Sequence, residues 1–278
     1  MNNPIGIMQG RLSAPRGGRL QSFPWDTWED EFAKARDCDL DGIEWIFEEP
    51  AGENPLLQPE GRRRMETLIR TTGVRVPCVC ADYVMEYPLV RVAGSELDRR
   101  VAVLRQVIAC SSELTIPIVD IPFVDASAIN DAAEVDQVAA VIASVADDAA
   151  QAGVTLGLET NLAPRPFDAL LRRIAHPAVG ITYDIGNSAS LGFDPREELD
   201  CIGRWIVNVH VKDRVRNGGT VSLGQGAADL PVTLGGLRRG GYAGPLILQV
   251  ARDGDEMAHA RRNADYVRRM LDAEHVDA

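Results

Sequence analysis

The feature that most constrains this fold is a strand-then-helix rhythm that recurs eight times along the 278 residues. Short apolar runs alternate with longer stretches in which apolar residues recur about every 3.6 positions, as in amphipathic helices. The predicted strands lie in the segments IGIMQG, DGIEWIFE, VRVPCVCAD, IPIVDIPF, VTLGLET, VGITYDIGN, WIVNVHVKD and PLILQV. Helices are predicted at TWEDEFAKARDCD and PEGRRRMETLIRTTG, and near residues 95–111, 132–152, 166–175, 194–203, 229–238 and 255–273.

The predicted strands favour a parallel sheet covered on both faces, because they are continuously apolar rather than alternating. Eight βα units predict a single (β/α)8 TIM barrel domain over residues 1–278, since no linker rich in proline or glycine divides the chain. A doubly wound open sheet is the second candidate. That fold usually has a glycine-rich phosphate turn after an early strand, and the sequence contains none.

Composition restricts the partners and the compartment. The formal charge of -12 argues against a nucleic-acid partner, because phosphate binding requires clustered Lys and Arg. No apolar stretch approaches the roughly 20 residues of a membrane span, and MNNPIGIMQG is not typical of a signal peptide. The five cysteines are scattered, and Cys78 and Cys80 share one face of a strand, where they do not bridge. We expect a cytoplasmic protein with free thiols, and a homo-oligomer stays open.

Polar residues at the C-terminal ends of barrel strands usually line the active site. Taken in chain order, these ends are Gln9, Glu44, Asp82, Asp120, Glu159, Asp184, His210 and Gln249. The last four offer two carboxylates, an imidazole and an amide from successive strands, a set that suits Mn²⁺, Mg²⁺, Co²⁺ or Zn²⁺. A lone buried His or strand-end Asp is more often structural, but four such residues on consecutive strands predict a metal site.

Several motifs carry a family resemblance. The segments GLETNL, ITYDIGNSASLG, NVHVKDR and LGQGAADL, together with GIMQGRLS, resemble the sugar phosphate isomerase/epimerase family of the xylose isomerase-like TIM barrels. The resemblance extends from Ile5 to about Arg252. It implies one divalent cation, with Mn²⁺ expected first, bound by Glu159, Asp184, His210 and a residue on the last strand. It also implies an isomerase or epimerase that acts on a ketose, a ketose phosphate or a related sugar-like carbonyl compound through an enediolate.

The last of these ligands departs from the family pattern, because the position usually holds Glu and here holds Gln249. The resemblance implies two opposed glutamates, one that removes a proton and one that returns it on the other face. An amide oxygen can bind a cation, but it cannot carry a proton at neutral pH. Glu159 is therefore expected as both ligand and base. The second acid must come from another residue, or the reaction needs only one base.

Lys212 is the candidate for that second catalytic group. A divalent cation can lower the pKa of a neighbouring lysine and so make it an acid or base. The alternative role is a salt bridge to Asp213 or to another barrel carboxylate. Asn187 lies three residues after Asp184, where relatives often place a polar side chain that binds substrate.

Four further polar residues are candidates for contacts to the sugar. Glu44 and Asp82 are predicted to bind hydroxyl groups, although each is equally suited to orienting a neighbouring metal ligand. Gln9 is a weaker substrate-binding candidate, as is Arg11, because the start of such a barrel often uses polar residues to close its floor.

The loop after the seventh strand, KDRVRNGGTVSLGQG, is the candidate phosphate site. It supplies Arg214, Arg216 and several glycines at a position where barrels often bind phosphate. Glycine-rich loops are also common as plain turns. A free sugar therefore fits as well as a phosphorylated one, and Arg214 is retained as a substrate-binding residue in either case.

Three other functions compete with epimerisation. A lyase or dehydratase on the same scaffold needs one base and a departing hydroxyl, which suits the missing second glutamate. A barrel that binds a sugar or a partner subunit without turnover is another class. Endonuclease chemistry requires a larger metal cluster, and the four histidines and the acidic charge disfavour it.

Overall fold

The computed structural model describes residues 3–252 and 254–273. Its ten strands are β1 Ile5–Met8, β2 Gly42–Ile46, β3 Val79–Cys80, β4 Ile118–Phe123, β5 Thr155–Thr160, β6 Val179–Asp184, β7 Ile206–Val211, β8 Asp213–Arg214, β9 Thr220–Val221 and β10 Leu246–Leu248. Eight of them close a barrel in the order β1-β10-β7-β6-β5-β4-β3-β2, whereas β8 and β9 pair antiparallel as a small hairpin. Every neighbouring pair in the barrel is parallel. The prediction of a (β/α)8 TIM barrel is confirmed.

The helices surround this barrel in alternation with its strands. They are α1 Asp30–Asp37, α2 Pro59–Thr72, α3 Tyr83–Glu86, α4 Gly94–Glu113, α5 Ala132–Gln151, α6 Pro164–Ile174, α7 Ile185–Leu191, α8 Pro195–Ile202, α9 Leu230–Arg239 and α10 Glu256–Ala273. All eight predicted helices are present. The short helices α3 and α7 were not predicted, and each directly follows the strand-end residue of its barrel strand, Asp82 and Asp184. No helix in the described residues has the length and apolarity that crossing a membrane requires.

The third strand is much shorter than the apolar run VRVPCVCAD predicts. Only Val79 and Cys80 pair as strand β3, and Arg75 forms an isolated bridge to Gly42. Pro77 lies between these two points, and a proline has no backbone N–H to donate to a sheet. Gly42 also fits this region closely, because a Cβ there would lie 2.9 Å from the Pro77 ring.

The register of the barrel corrects two of the predicted strand ends. Strand β2 continues to Ile46 and β4 continues to Phe123, so Glu44 and Asp120 lie inside their strands. Asp120 pairs with Gly157, two residues before Glu159 on β5. Because side chains alternate across a strand, Glu44 and Asp120 belong to a layer of the barrel interior below the mouth. Apolar runs show that a strand exists, but they do not show where it ends.

A candidate metal centre at the mouth of the barrel

Two carboxylate side chains and one imidazole converge at the C-terminal ends of three successive strands. Glu159 is on β5, Asp184 ends β6, and His210 on β7 pairs directly with Asp184. His210 Nδ1 lies 3.7 Å from Glu159 Oε2 and 3.8 Å from Asp184 Oδ2. One ligand atom from each residue lies within 4.8 Å of the others, and all three residues are buried. Backbone pairing in a parallel barrel therefore brings these three groups to one point.

The second ring nitrogen of His210, Nε2, contacts the polar layer deeper in the barrel that contains Glu44. His210 Nε2 lies 2.8 Å from Glu44 Oε2, and the second oxygen of Glu44 accepts a hydrogen bond from Asn208 Nδ2 at 2.9 Å. Strands β2 and β7 are not neighbours, so these side chains meet inside the barrel. In the neutral imidazole, which is the form that binds a metal, a carboxylate acceptor at Nε2 keeps the proton on that nitrogen and leaves the Nδ1 lone pair facing Glu159 and Asp184. Glu44 thus contacts a candidate ligand, which was the alternative to its predicted role in binding sugar.

This arrangement fits a divalent cation. His210 Nδ1 is buried and has no hydrogen-bond partner among the residues that the structure describes. A buried nitrogen without a partner is costly unless something else satisfies it. Two carboxylates beside it complete a nitrogen and oxygen donor set without thiolate, which suits Mn²⁺, Mg²⁺, Co²⁺ or Zn²⁺. Residues Glu159, Asp184 and His210 would hold such an ion.

The pKa values reflect how closely these charges are packed. Burial raises the pKa of Glu159 to about 7, and the neighbouring charge of Asp184 adds to the rise. Burial would also raise the pKa of Asp184, but the Lys212 ammonium and the His210 imidazole together outweigh it and the value falls to about 2. Burial opposes charge on His210, yet the carboxylates of Glu44, Asp184 and Asp120 together raise the pKa of the imidazole well above its ordinary value.

Gln249 lies at the end of β10 beside the same cluster. Its Oε1 accepts a hydrogen bond from Lys212 Nζ at 2.5 Å, and Lys212 Nζ is 2.6 Å from Asp184 Oδ2. The Gln249 amide nitrogen donates to Gln21 Oε1 at 3.1 Å. Lys212 therefore bonds a barrel carboxylate, as the alternative reading of its role anticipated, and that carboxylate is Asp184 rather than Asp213.

Asn187 joins the cluster through the first turn of α7. Its backbone N–H donates to Asp184 Oδ1 at 2.8 Å, which makes Asp184 the N-cap of this helix. The Asn187 amide nitrogen donates to Glu159 Oε1 at 2.5 Å, and Arg214 donates to the Asn187 amide oxygen at 2.7 Å. Asn187 and Arg214 were predicted to bind substrate, and the structure places both within one hydrogen-bond chain that ends on Glu159.

The remaining predicted site residues lie at different depths. Gln9 is fully buried, and its amide oxygen accepts from the Ile46 N–H at 2.9 Å, so it connects β1 and β2. Arg11 donates to the backbone carbonyl of Val250 at 3.1 Å. Asp82 accepts from Gln21 at 2.8 Å at the end of the third strand.

The glycine-rich loop after β9 is held from within the protein. The Asp213 carboxylate accepts hydrogen bonds from the backbone N–H groups of Gly224 at 2.9 Å, Gly226 at 2.8 Å and Ala228 at 3.0 Å. These N–H groups are the type that cradle a phosphate in other proteins. Here they bond to the buried Asp213 carboxylate, which was predicted only as a partner for Lys212.

Three functional candidates were missed at the sequence level. Gln21 and Asn208 each contact a site residue, and Asp213 organises the neighbouring loop. Asn208 stands two residues before His210, so the period of two along a strand could have placed both on the inner face. Gln21 lies in an irregular loop, where no periodicity indicates which residues face the barrel mouth.

The family model for the xylose isomerase-like TIM barrel matches residues 32–270. The chain belongs to this family. It is 26% identical to L-ribulose-5-phosphate 3-epimerase UlaE of Salmonella paratyphi A over 296 residues, with 99% of this chain and 98% of the relative covered. This family membership confirms the resemblance that the motifs indicated.

Solved structures share the fold at low sequence identity. An L-ribulose 3-epimerase superposes with a TM-score of 0.78 at 21% identity, covering 100% of this chain and 99% of the other. A xylose isomerase-like TIM barrel protein from Mycobacterium smegmatis, solved in complex with magnesium, gives a TM-score of 0.70 at 17% identity, with 97% and 96% covered.

Proposed function

We propose that this chain, as a single domain over residues 1–278, is a divalent-metal-dependent epimerase of a ketose or ketose phosphate. The convergence of Glu159, Asp184 and the unpartnered Nδ1 of His210 at the barrel mouth carries the proposal. The full-length similarity to L-ribulose-5-phosphate 3-epimerases and the fold shared with an L-ribulose 3-epimerase support the sugar class. Mn²⁺ is the proposed ion, with Mg²⁺, Co²⁺ and Zn²⁺ as alternatives. The five free cysteines support a cytoplasmic location.

Glu159 is the proposed base. When bound, the cation would supply electrophilic polarisation of the substrate carbonyl and the adjacent hydroxyl. Asn187 holds one oxygen of Glu159 at 2.5 Å, which leaves the other oxygen directed toward His210. Glu159 takes the proton from C3, the carbon beside the ketose carbonyl, and the electron pair of that C–H bond forms the enediolate.

Lys212 is the proposed acid that returns a proton to the opposite face of C3. Its Nζ contacts Gln249 Oε1 at 2.5 Å, so an ammonium lies next to the position where the family resemblance implies a glutamate. After one turnover Glu159 has gained a proton and Lys212 has lost one, and exchange with water restores both. This assignment gives the site two proton carriers although Gln249 itself carries none.

A lyase is the second candidate, and the amide at position 249 is the observation that favours it. In the elimination, Glu159 takes the proton from C3 and passes it to the departing hydroxyl group beside the enediolate, which leaves as water. No proton returns to C3. The two reactions give different products from the same substrate, an epimer or a dehydrated compound.

The test incubates the Mn²⁺-loaded protein in D₂O with L-ribulose, L-ribulose 5-phosphate and other ketoses, each with and without a terminal phosphate. We expect a C3 epimer that carries deuterium, detected by mass spectrometry and chromatography. In the Lys212→Gln variant, deuterium should still enter C3 without inversion, because Glu159 alone serves one face. A dehydrated product would replace the epimerase assignment by the lyase, and metal binding without any exchange would indicate a non-catalytic sugar-binding barrel.

A further inference from the structure

A chain of hydrogen bonds crosses the barrel mouth and ends at the candidate metal centre. Gln21 Nε2 donates to Asp82 Oδ2 at 2.8 Å, and Gln249 Nε2 donates to Gln21 Oε1 at 3.1 Å. Lys212 Nζ then donates to Gln249 Oε1 at 2.5 Å. Asp82, Gln249 and Lys212 are at most 9% exposed, so water competes little for these contacts. The chain therefore links the ends of three barrel strands through one loop residue.

The donors Lys212 and Arg11 fix the orientation of the Gln249 and Gln21 side-chain amides. The Lys212 ammonium can only donate, so the Gln249 oxygen faces it and the Gln249 NH₂ group faces Gln21. The Arg11 guanidinium can also only donate, and its Nη2 lies 3.4 Å from Gln21 Oε1. The Gln21 oxygen is thus directed at two donors, and its NH₂ group is left for the Asp82 carboxylate.

The loop that carries Gln21 is held firmly against the barrel. The buried Glu31 carboxylate accepts from the backbone N–H groups of Gly10 at 2.8 Å and Leu12 at 3.2 Å. Arg252 donates to the carbonyl groups of Gly10 at 2.7 Å and Leu20 at 3.1 Å. A residue supported in this way can impose an orientation on its neighbour.

We propose that Gln21 is a positioning residue that keeps the Gln249 amide oxygen, rather than its NH₂ group, on the side of Lys212 and Asp184 at the candidate metal centre. The Gln21–Asp82 pair would also favour glutamine over glutamate at position 249. This inference rests on the proposed metal-dependent function. Without the Gln21 acceptor, only the Lys212 contact holds the Gln249 amide, and the amide rotates more easily to present its NH₂ group to the centre. An NH₂ group cannot ligate a cation, so metal affinity falls.

The same geometry explains why position 249 has an amide in this chain. A carboxylate at 249 would place an oxygen where the Gln249 NH₂ group now meets Gln21 Oε1. Rotating the Gln21 amide to donate to that carboxylate would turn its own oxygen toward the Asp82 carboxylate. Gln21 and Asp82 together therefore disfavour glutamate at this position.

The first test measures Mn²⁺ affinity by titration calorimetry in a double-mutant cycle. Gln21→Leu keeps most of the side-chain volume but removes the hydrogen bonds of Gln21 with Asp82, Gln249 and Arg11. We expect it to weaken Mn²⁺ binding about tenfold, the scale of contacts that orient a metal ligand. In the Gln249→Ala background the same substitution should have no further effect, because there is no amide to orient. An equal loss in both backgrounds, or no loss in either, would overturn the inference.

The second test exchanges the two partners and requires no apolar substitution. Gln21→Glu places two carboxylates, at positions 21 and 82, next to each other and should weaken Mn²⁺ binding. In the double variant Gln21→Glu with Asp82→Asn, the new carboxylate at position 21 still accepts from the Gln249 NH₂ group. The new amide at position 82 donates to that carboxylate. This double variant keeps the net charge of the pair, so we expect affinity within about threefold of the wild type. Failure of the double variant to recover affinity would contradict the positioning role.

His210→Ala separates this inference from the proposed function. If that variant binds Mn²⁺ as well as the wild type, the metal centre itself is wrong. If His210→Ala loses Mn²⁺ while both Gln21 variants bind it normally, the metal centre stands and only the positioning role fails.

Discussion

His210 connects the two polar layers of the barrel. Its Nε2 contacts Glu44 at 2.8 Å, and its Nδ1 faces Glu159 and Asp184. Two ring nitrogens with different partners define one tautomer and one orientation for a neutral ligand. The sequence could predict that His210 lies at the end of β7, because NVHVKD follows an apolar run. It could not predict which nitrogen faces the carboxylates, because that depends on Glu44 from a strand more than 160 residues away in the chain.

His210→Ala should remove most of the bound divalent metal. The substitution deletes the only nitrogen ligand of the proposed set and leaves two buried carboxylates that repel each other. Metal content after dialysis against Mn²⁺ should fall from about one ion per chain to near zero. His176→Ala is the control, since His176 lies outside the barrel and contacts Asp147 at 3.2 Å. Equal metal content in the two variants would remove His210 from the site.

At the scale of elements, periodic segments were predictable and irregular ones were not. The eight barrel strands and their following helices appear where the apolar periodicity placed them. Three elements are too short for a sequence period to reveal them: the helices α3 and α7 and the hairpin β8–β9. All three lie in the loops that follow the C-terminal ends of barrel strands. The loop that carries Gln21 escaped prediction for the same reason. The contacts that surround the candidate ligands, such as those of Gln21, therefore depend on elements that sequence patterns do not reveal.

The loop of residues 222–228 depends on Asp213. Asp213→Ala removes the acceptor for three backbone N–H groups, and we expect the free energy of unfolding to fall by on the order of 2 kcal/mol. Hydrogen exchange of the Gly224, Gly226 and Ala228 amides should become faster while the barrel strands stay protected. Asp213→Asn keeps an acceptor without the charge and should give an intermediate effect. Unchanged exchange in the alanine variant would show that the loop is held by other contacts.

The contact between α7 and α8 predicts a pH dependence of stability. Glu198 accepts hydrogen bonds from Tyr183 at 2.7 Å and from Ser188, yet burial outweighs both and raises the pKa of Glu198 above its ordinary 4.5. As pH rises from 4.5 through the folded-state pKa of Glu198, the unfolded chain loses this proton before the folded chain does. The free energy of unfolding therefore falls across that pH window because of Glu198.

Glu198→Gln carries no charge and should escape this loss. Its free energy of unfolding, relative to the wild type, should therefore rise across the window and stay constant above it. Urea denaturation at a series of pH values measures the difference. Glu197→Gln is the matched control, because it removes a carboxylate from the exposed face of the same helix. Parallel curves for Glu198→Gln and the wild type would contradict a raised pKa.

For the whole molecule, closure of the barrel turns a linear series of strand ends into one site. Glu159, Asp184, His210 and Gln249 come from four strands that are neighbours in the closed sheet. That neighbourhood was predictable, because parallel βα units place successive strands side by side. The depth of each residue was not predictable, as Glu44 and Asp120 show, because apolar runs do not indicate register.

Glu159 is proposed both to bind the cation and to move the proton at C3. The most direct test is Glu159→Gln, assayed for Mn²⁺ binding by calorimetry and for deuterium entry at C3 of the best ketose substrate. An amide keeps a ligand oxygen but cannot accept the proton. We predict measurable Mn²⁺ binding with deuterium exchange reduced at least a thousandfold, on the order that loss of a general base gives. Exchange at the wild-type rate in the metal-loaded variant would contradict the account.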